Sequence, residues 1–125
     1  MGRRQRQRGR GGALAPPPSQ EYDDGQGHVI VLRCVLSAPT RTSYARIASG
    51  EDLPPGANRE DAWQRAVEFL FERLAVSWSI AGAPAITAQH ELLVRLRAAS
   101  QEERSWLRAR LREHCAEHFP ELAAP

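Results

Sequence analysis

Lysine is missing from this 125-residue chain, and all 17 of its basic residues are arginine. With abundant Ala, Gly and Pro, that usage fits a GC-rich genome and carries no chemistry of its own. Cysteine is scarce, with Cys34 and Cys115 alone. The longest run free of formal charge, residues 74–89, is broken by Gly82 and Pro84 and carries Ser and Thr. It cannot serve as a membrane span. The basic first residues are not followed by an apolar stretch, which argues against a secretory leader. Two thiols without an export signal predict reduced cysteines in a cytoplasmic protein. Catalytic signatures are also missing. There is no G-x-S-x-G, no phosphate-cradling glycine loop, no C-x-x-C and no Ser/His/Asp grouping with recognisable spacing. The chain therefore reads as non-catalytic and without a cofactor. An enzyme of this size lacking a motif would need its site at a subunit interface.

Charge is distributed unevenly. Residues 1–25 hold five Arg and three acids, and residues 26–125 hold twelve Arg and twelve acids. The positive excess thus sits in the amino-terminal stretch, and the remainder is neutral. A neutral domain offers no broad electrostatic reason to bind nucleic acid or an anionic membrane. Residues 1–27 alternate Arg with Gln and Gly, then bring three prolines and an acidic, Gly-rich run, so they read as a disordered tail. Within that tail Arg3, Arg4, Arg6, Arg8 and Arg10 form a candidate nucleic-acid-binding arm. The plainer reading is an extension without a role.

Order is expected over residues 28–120, as one small domain. HVIVLRCVL over 28–36 is β-branched and apolar on both parities, which predicts a strand buried on both sides. Thr40 reads as the N-cap of a short helix ending near Gly50. Asn58 caps the main helix, whose stripe of Trp63, Ala66, Val67, Leu70, Phe71, Leu74 and Trp78 follows i, i+3, i+4 spacing. Its end is ambiguous. Val76, Trp78 and Ile80 alternate with Ser77 and Ser79, so 75–80 is either the last helical turn or a strand to pair with 28–36. Thr87 reads as the cap of a third helix, with Leu92, Leu93 and Leu96 inward. Ser100 and Glu103 form a capping box that opens a last helix running to His118, before Pro120. Residues 121–125 read as flexible. The expected fold class is mainly α within α+β, with three to four helices and one or two short strands.

A strand with one weak partner must find another, so the pattern predicts a protein-binding or homo-oligomeric assembly protein. The candidate contact residues are Val31, Leu36, Trp63, Phe71 and Trp78. A metal-dependent site is the alternative at His114, Cys115 and His118, with the two imidazoles at i, i+4. Cys34, His90 or Glu91 could complete the ligand set. The plainer reading is a helix end where His suits the negative dipole terminus. Arg104, Arg108 and Arg112 also repeat at i, i+4. Nearby Glu102, Glu103, Glu113 and Glu117 neutralise them, so they read as a solvated face.

The order of elements resembles the small tail assembly chaperones of tailed bacteriophages. It is carried by Val29–Leu36, Pro39-Thr40-Arg41, the helix from Asn58, Val76-Ser77-Trp78 and Leu92–His118. The resemblance implies binding to a tape-measure protein and tail-tube subunits, oligomerisation and no catalytic residues. The Arg-rich amino-terminal stretch departs from that pattern.

Overall fold

Alternation of Gln20 and Tyr22 with Ser19, Glu21 and Asp23 gives the chain its first strand, β1 (Ser19–Asp23). The computed structural model describes residues 18–51 and 53–122. Reading residues 18–27 as part of a disordered tail is therefore corrected. The acidic, Gly-rich run there is a hairpin turn. Asp23 Oδ1 accepts from the Gly25 N–H at 2.7 Å, and Asp24 Oδ1 accepts from Gln26 at 2.7 Å and His28 at 3.1 Å. Such Asx turns replace the backbone bonds a tight reversal leaves open. Gly27 takes φ 89°, and a Cβ there would lie 2.7 Å from the Gly82 nitrogen, so only glycine fits.

The hairpin leads into β2 (Val29–Arg33), which lies in the middle of a three-stranded antiparallel sheet. On its other side is β3 (Ala75–Ser79), with Ile30 opposite Trp78 and an irregularity between Val31 and Leu32. The predicted strand is present, but its surroundings differ from expectation. Ile30 and Leu32 are fully buried, while Val29 and Val31 stay partly open on the other face. Nor is β2 an orphan, because both of its edges are paired.

Four helices complete the described chain: α1 (Ala38–Ser49), α2 (Arg59–Leu74), α3 (Gln89–Arg97) and α4 (Gln101–His118). The mainly helical α+β expectation holds, with three strands rather than one or two. Cap chemistry sets most of the boundaries. Ser37, rather than Thr40, caps α1, and its Oγ accepts from the Thr40 N–H at 3.3 Å. Asn58 and Asp61 close a capping box on α2, and Ser100 and Glu103 close one on α4. By contrast, α3 has Ala88 at its N-cap and no side-chain cap, so Thr87 does not act as one. The end of α2 resolves in favour of the strand: Ala75 turns extended and the chain enters β3 without a loop.

Helix α2 is the hub of the fold and contacts α1, α3 and α4. Its Ala62, Ala66, Val67, Leu70, Phe71 and Leu74 are buried, and Phe71 meets Trp78 edge-on with ring centroids 5.5 Å apart. Leu92 and Leu96 from α3 and Leu107, Leu111 and Cys115 from α4 close this core over one face of the sheet. The carboxyl end is more ordered than its composition suggested. Phe119 and Leu122 are buried, and Glu121 is ion-paired to Arg41. The expected flexibility of 121–125 is thus corrected for Glu121 and Leu122. Among the described residues no helix is long and apolar enough to cross a membrane.

Candidate functional site

Two features stand apart from the core: a polar cluster where α4 meets β1 and β2, and the outer edge of β1.

The cluster is built around His114, the one buried polar residue among those described. It lies on the inner face of α4, one turn before His118. Its Nε2 is 2.7 Å from the Arg33 carbonyl oxygen. That oxygen can only accept, so Nε2 carries the proton. Nδ1 is then the lone-pair nitrogen, and it accepts from the Tyr22 hydroxyl at 2.8 Å. His118 Nε2 lies 2.8 Å from Gln20 Oε1 and 3.6 Å from Cys34 Sγ. Cys34 Sγ and ring nitrogens of His114 and His118 fall within 4.8 Å of one another.

Burial shifts His114, Tyr22 and Cys34 within this cluster. It lowers the His114 pKa, which favours the neutral ring; the Arg33 carbonyl works in the opposite direction. The Tyr22 hydroxyl is pushed up to about 12 by burial, then by Glu117 and Glu113. Burial also raises the Cys34 thiol, with Glu117 adding to the effect. A thiol held protonated is a poor nucleophile, so the Cys34–His118 pair does not read as a catalytic dyad.

The i, i+4 imidazole pair read from the sequence does converge, but its thiol is Cys34 and not Cys115. Each helical residue turns about 100° from the last, so the neighbour of His114 points elsewhere. Cys115 is fully buried in the hydrophobic core, where burial pushes its thiol up to about 11. His90 and Glu91 are exposed at the start of α3 and take no part in the cluster. Gln20 and Tyr22 were missed because the strand that carries them was not foreseen.

The expected partner-binding residues separate. Phe71 and Trp78 are fully buried and cannot reach a partner, which corrects that assignment. Leu36 is partly buried against the core. Val31 is half-buried on the sheet face away from the core, while Trp63 is 40% exposed with the Arg59 guanidinium 5.9 Å from its ring centroid. Arg3, Arg4, Arg6, Arg8 and Arg10 lie outside the described residues. Of the arginine ridge on α4, Arg104 and Arg108 are half-buried, and Arg104 donates to the Arg97 carbonyl at 2.8 Å. Only Arg112 of the three fits the expected solvated face.

The register defines the second feature. Cys34 donates to Pro18 O at 2.9 Å and Asp24 to His28 O at 3.0 Å, so Gln20 and Tyr22 turn their backbone groups toward β2. Those of Ser19, Glu21 and Asp23 point outward. No other described residue hydrogen-bonds to them through its backbone. The opposite edge of the sheet is partly covered, since Ile86 exchanges two backbone bonds with Trp78 at 3.0 and 2.9 Å.

These features define a small α+β protein with a three-stranded antiparallel sheet, an edge at β1 left open among the described residues, and a part-buried Cys/His cluster. No protein-family model, no curated protein and no solved structure matches the chain.

Proposed function

We propose that this protein is a non-catalytic interaction module of the assembly-chaperone kind, which takes an extended, basic segment of a partner protein as a fourth strand on β1. The carrying observation is the outer edge of β1, unpaired among the described residues, with Ser19, Glu21 and Asp23 presenting their backbone groups outward. Edge strands of this sort are templates for strand addition. The side chains of Glu21 and Asp23 lie on the sheet face away from the core, and both are exposed. A strand laid beside them with Arg or Lys at alternate positions would pair with both carboxylates. Glu21 lies opposite Val31 on that face, and Asp23 opposite Val29. Apolar contact could therefore accompany the backbone bonds.

The test uses a fluorescently labelled peptide alternating Arg with Val, read by polarisation. Binding that weakens with salt is expected. Proline at an outward-facing edge position leaves the inner ladder intact. Glu21→Pro should therefore weaken binding about tenfold or more, the equivalent of ~1.4 kcal/mol, with an unchanged circular dichroism spectrum. Reversing charge with Glu21→Lys should also weaken it. Binding that ignores both substitutions would remove the edge from the reading. A strict monomer with no affinity for such peptides would remove the reading itself.

A further inference from the structure

We propose that Cys34, His114 and His118 form a binding site for a borderline-soft divalent metal ion, zinc in the first instance, with the fourth position left to Gln20, Glu117 or water. The donor set is one thiolate and two imidazoles, the combination that suits zinc, copper and their neighbours rather than calcium or magnesium. Two of the three donors are already at ligand spacing. A tetrahedral zinc with sulfur at ~2.3 Å and nitrogen at ~2.0–2.1 Å separates those atoms by about 3.6 Å. Cys34 Sγ and His118 Nε2 stand 3.6 Å apart. The whole triad lies within 4.8 Å. Closing it needs movement of at most about 1.2–1.5 Å at the widest gap. His118 has room for that, being partly exposed in the last turn of α4.

The surroundings fit as well. Metal-bound imidazoles usually donate their second N–H to a carbonyl or carboxylate, which orients the ring. His114 already does so through Nε2 to the Arg33 carbonyl. Its lone-pair nitrogen is held by the Tyr22 hydroxyl, which an ion would displace. Gln20 Oε1 lies 2.8 Å and Glu117 Oε2 3.9 Å from His118 Nε2, so oxygen donors are at hand. A divalent ion would deprotonate the Cys34 thiol on binding. Three protein ligands and an open position describe an exchangeable or partner-completed site, in contrast to a closed four-ligand structural one. Cys34 and His118 are 84 residues apart in the chain, so an ion here would tie the end of β2 to the end of α4.

Cobalt titration of the full chain under reducing conditions provides the test. One equivalent of Co²⁺ should bring up the near-ultraviolet thiolate-to-cobalt charge-transfer band and intense visible bands of tetrahedral geometry, and Zn²⁺ should bleach both. Cys34→Ser should abolish the charge-transfer band, and Cys115→Ser should leave it. His118→Ala should weaken Zn²⁺ binding ~100-fold or more, beyond the 10–100-fold typical of outer-shell partners. X-ray absorption of the zinc-loaded wild type, which depends on no variant, should show one sulfur and two imidazole scatterers. Absence of the charge-transfer band at saturating Co²⁺ would overturn the proposal. So would a band that survives Cys34→Ser, or a first shell without sulfur.

Discussion

Trp78 and Trp63 come from one contiguous stretch and have opposite fates. Trp78 is fully buried, its ring against Phe71 and its indole N–H donating to His28 Nε2 at 2.7 Å. Trp63 lies on the outer side of α2, under Arg59. Trp78→Ala is expected to cost about 3–5 kcal/mol in urea denaturation. Trp63→Ala should cost under about 1 kcal/mol, as surface changes do. Equal losses would refute the burial pattern described. Ala81 offers a test of the opposite sign. It is the one non-glycine residue with positive φ among those described, at 54°. Left-handed backbone costs an L-residue roughly 1–2 kcal/mol, part of which glycine gives back in chain entropy. Ala81→Gly should therefore raise stability by about 0.5–1 kcal/mol, read as a shift in the denaturation midpoint.

At the scale of elements, the capping box of α4 makes a pH-dependent contribution. Glu103 accepts from the Ser100 N–H and from Arg95, both at 3.0 Å. The Ser100 amide, and after it Arg95, hold its carboxyl below the ordinary 4.5 despite an opposing effect of burial. A carboxyl depressed in the folded state stabilises above its unfolded pKa, and that contribution fades as pH falls through the folded value. Glu103→Gln keeps a capping side chain but removes the charge. Its deficit relative to wild type should be present at neutral pH, begin to shrink below about pH 4.5 and go on shrinking as pH falls through the lowered folded-state value. A deficit constant with pH would show that the charge is irrelevant. This start was legible in the sequence because a capping box is local chemistry, and Asn58 was legible for the same reason. Strand β1 was not. Five residues with one aromatic and two acids have little strand signal of their own, and they become a strand only by pairing with β2. The cluster divides along the same line. His114 and His118 share a helix face by spacing alone. Cys34 joins them only through tertiary packing, and the sequence left it one candidate among three.

For the whole molecule, the sheet joins a hairpin from residues 19–33 to a strand from 75–79, and the helices seal one face of it. A chain beginning at Gly25 would lack β1, expose the backbone of Ile30 and Leu32, and lose the Tyr22–His114 bond. That truncation is expected to broaden or abolish the cooperative thermal transition and to promote association through the bared β2 edge, read by circular dichroism and light scattering. A sharp monomeric transition at the wild-type temperature would show that β1 is dispensable. The uneven charge of the chain takes on a further sense in this setting. Its acidic residues at 21, 23 and 24 line the hairpin, so the open edge carries the sign opposite to the arginine-rich first ten residues.

The separation of Cys34 from its imidazoles also has a meaning in time. Synthesis proceeds at about 5–20 residues per second. The 84 residues between Cys34 and His118 therefore take roughly 4–17 s to follow. During that interval the β1–β2 hairpin can close, but the thiol at its end has neither imidazole beside it. The last helix to be made converts a reactive nascent thiol into a guarded one, so an oxidant or a thiol-reactive probe acting on ribosome-bound chains would find Cys34 more accessible than in the finished fold.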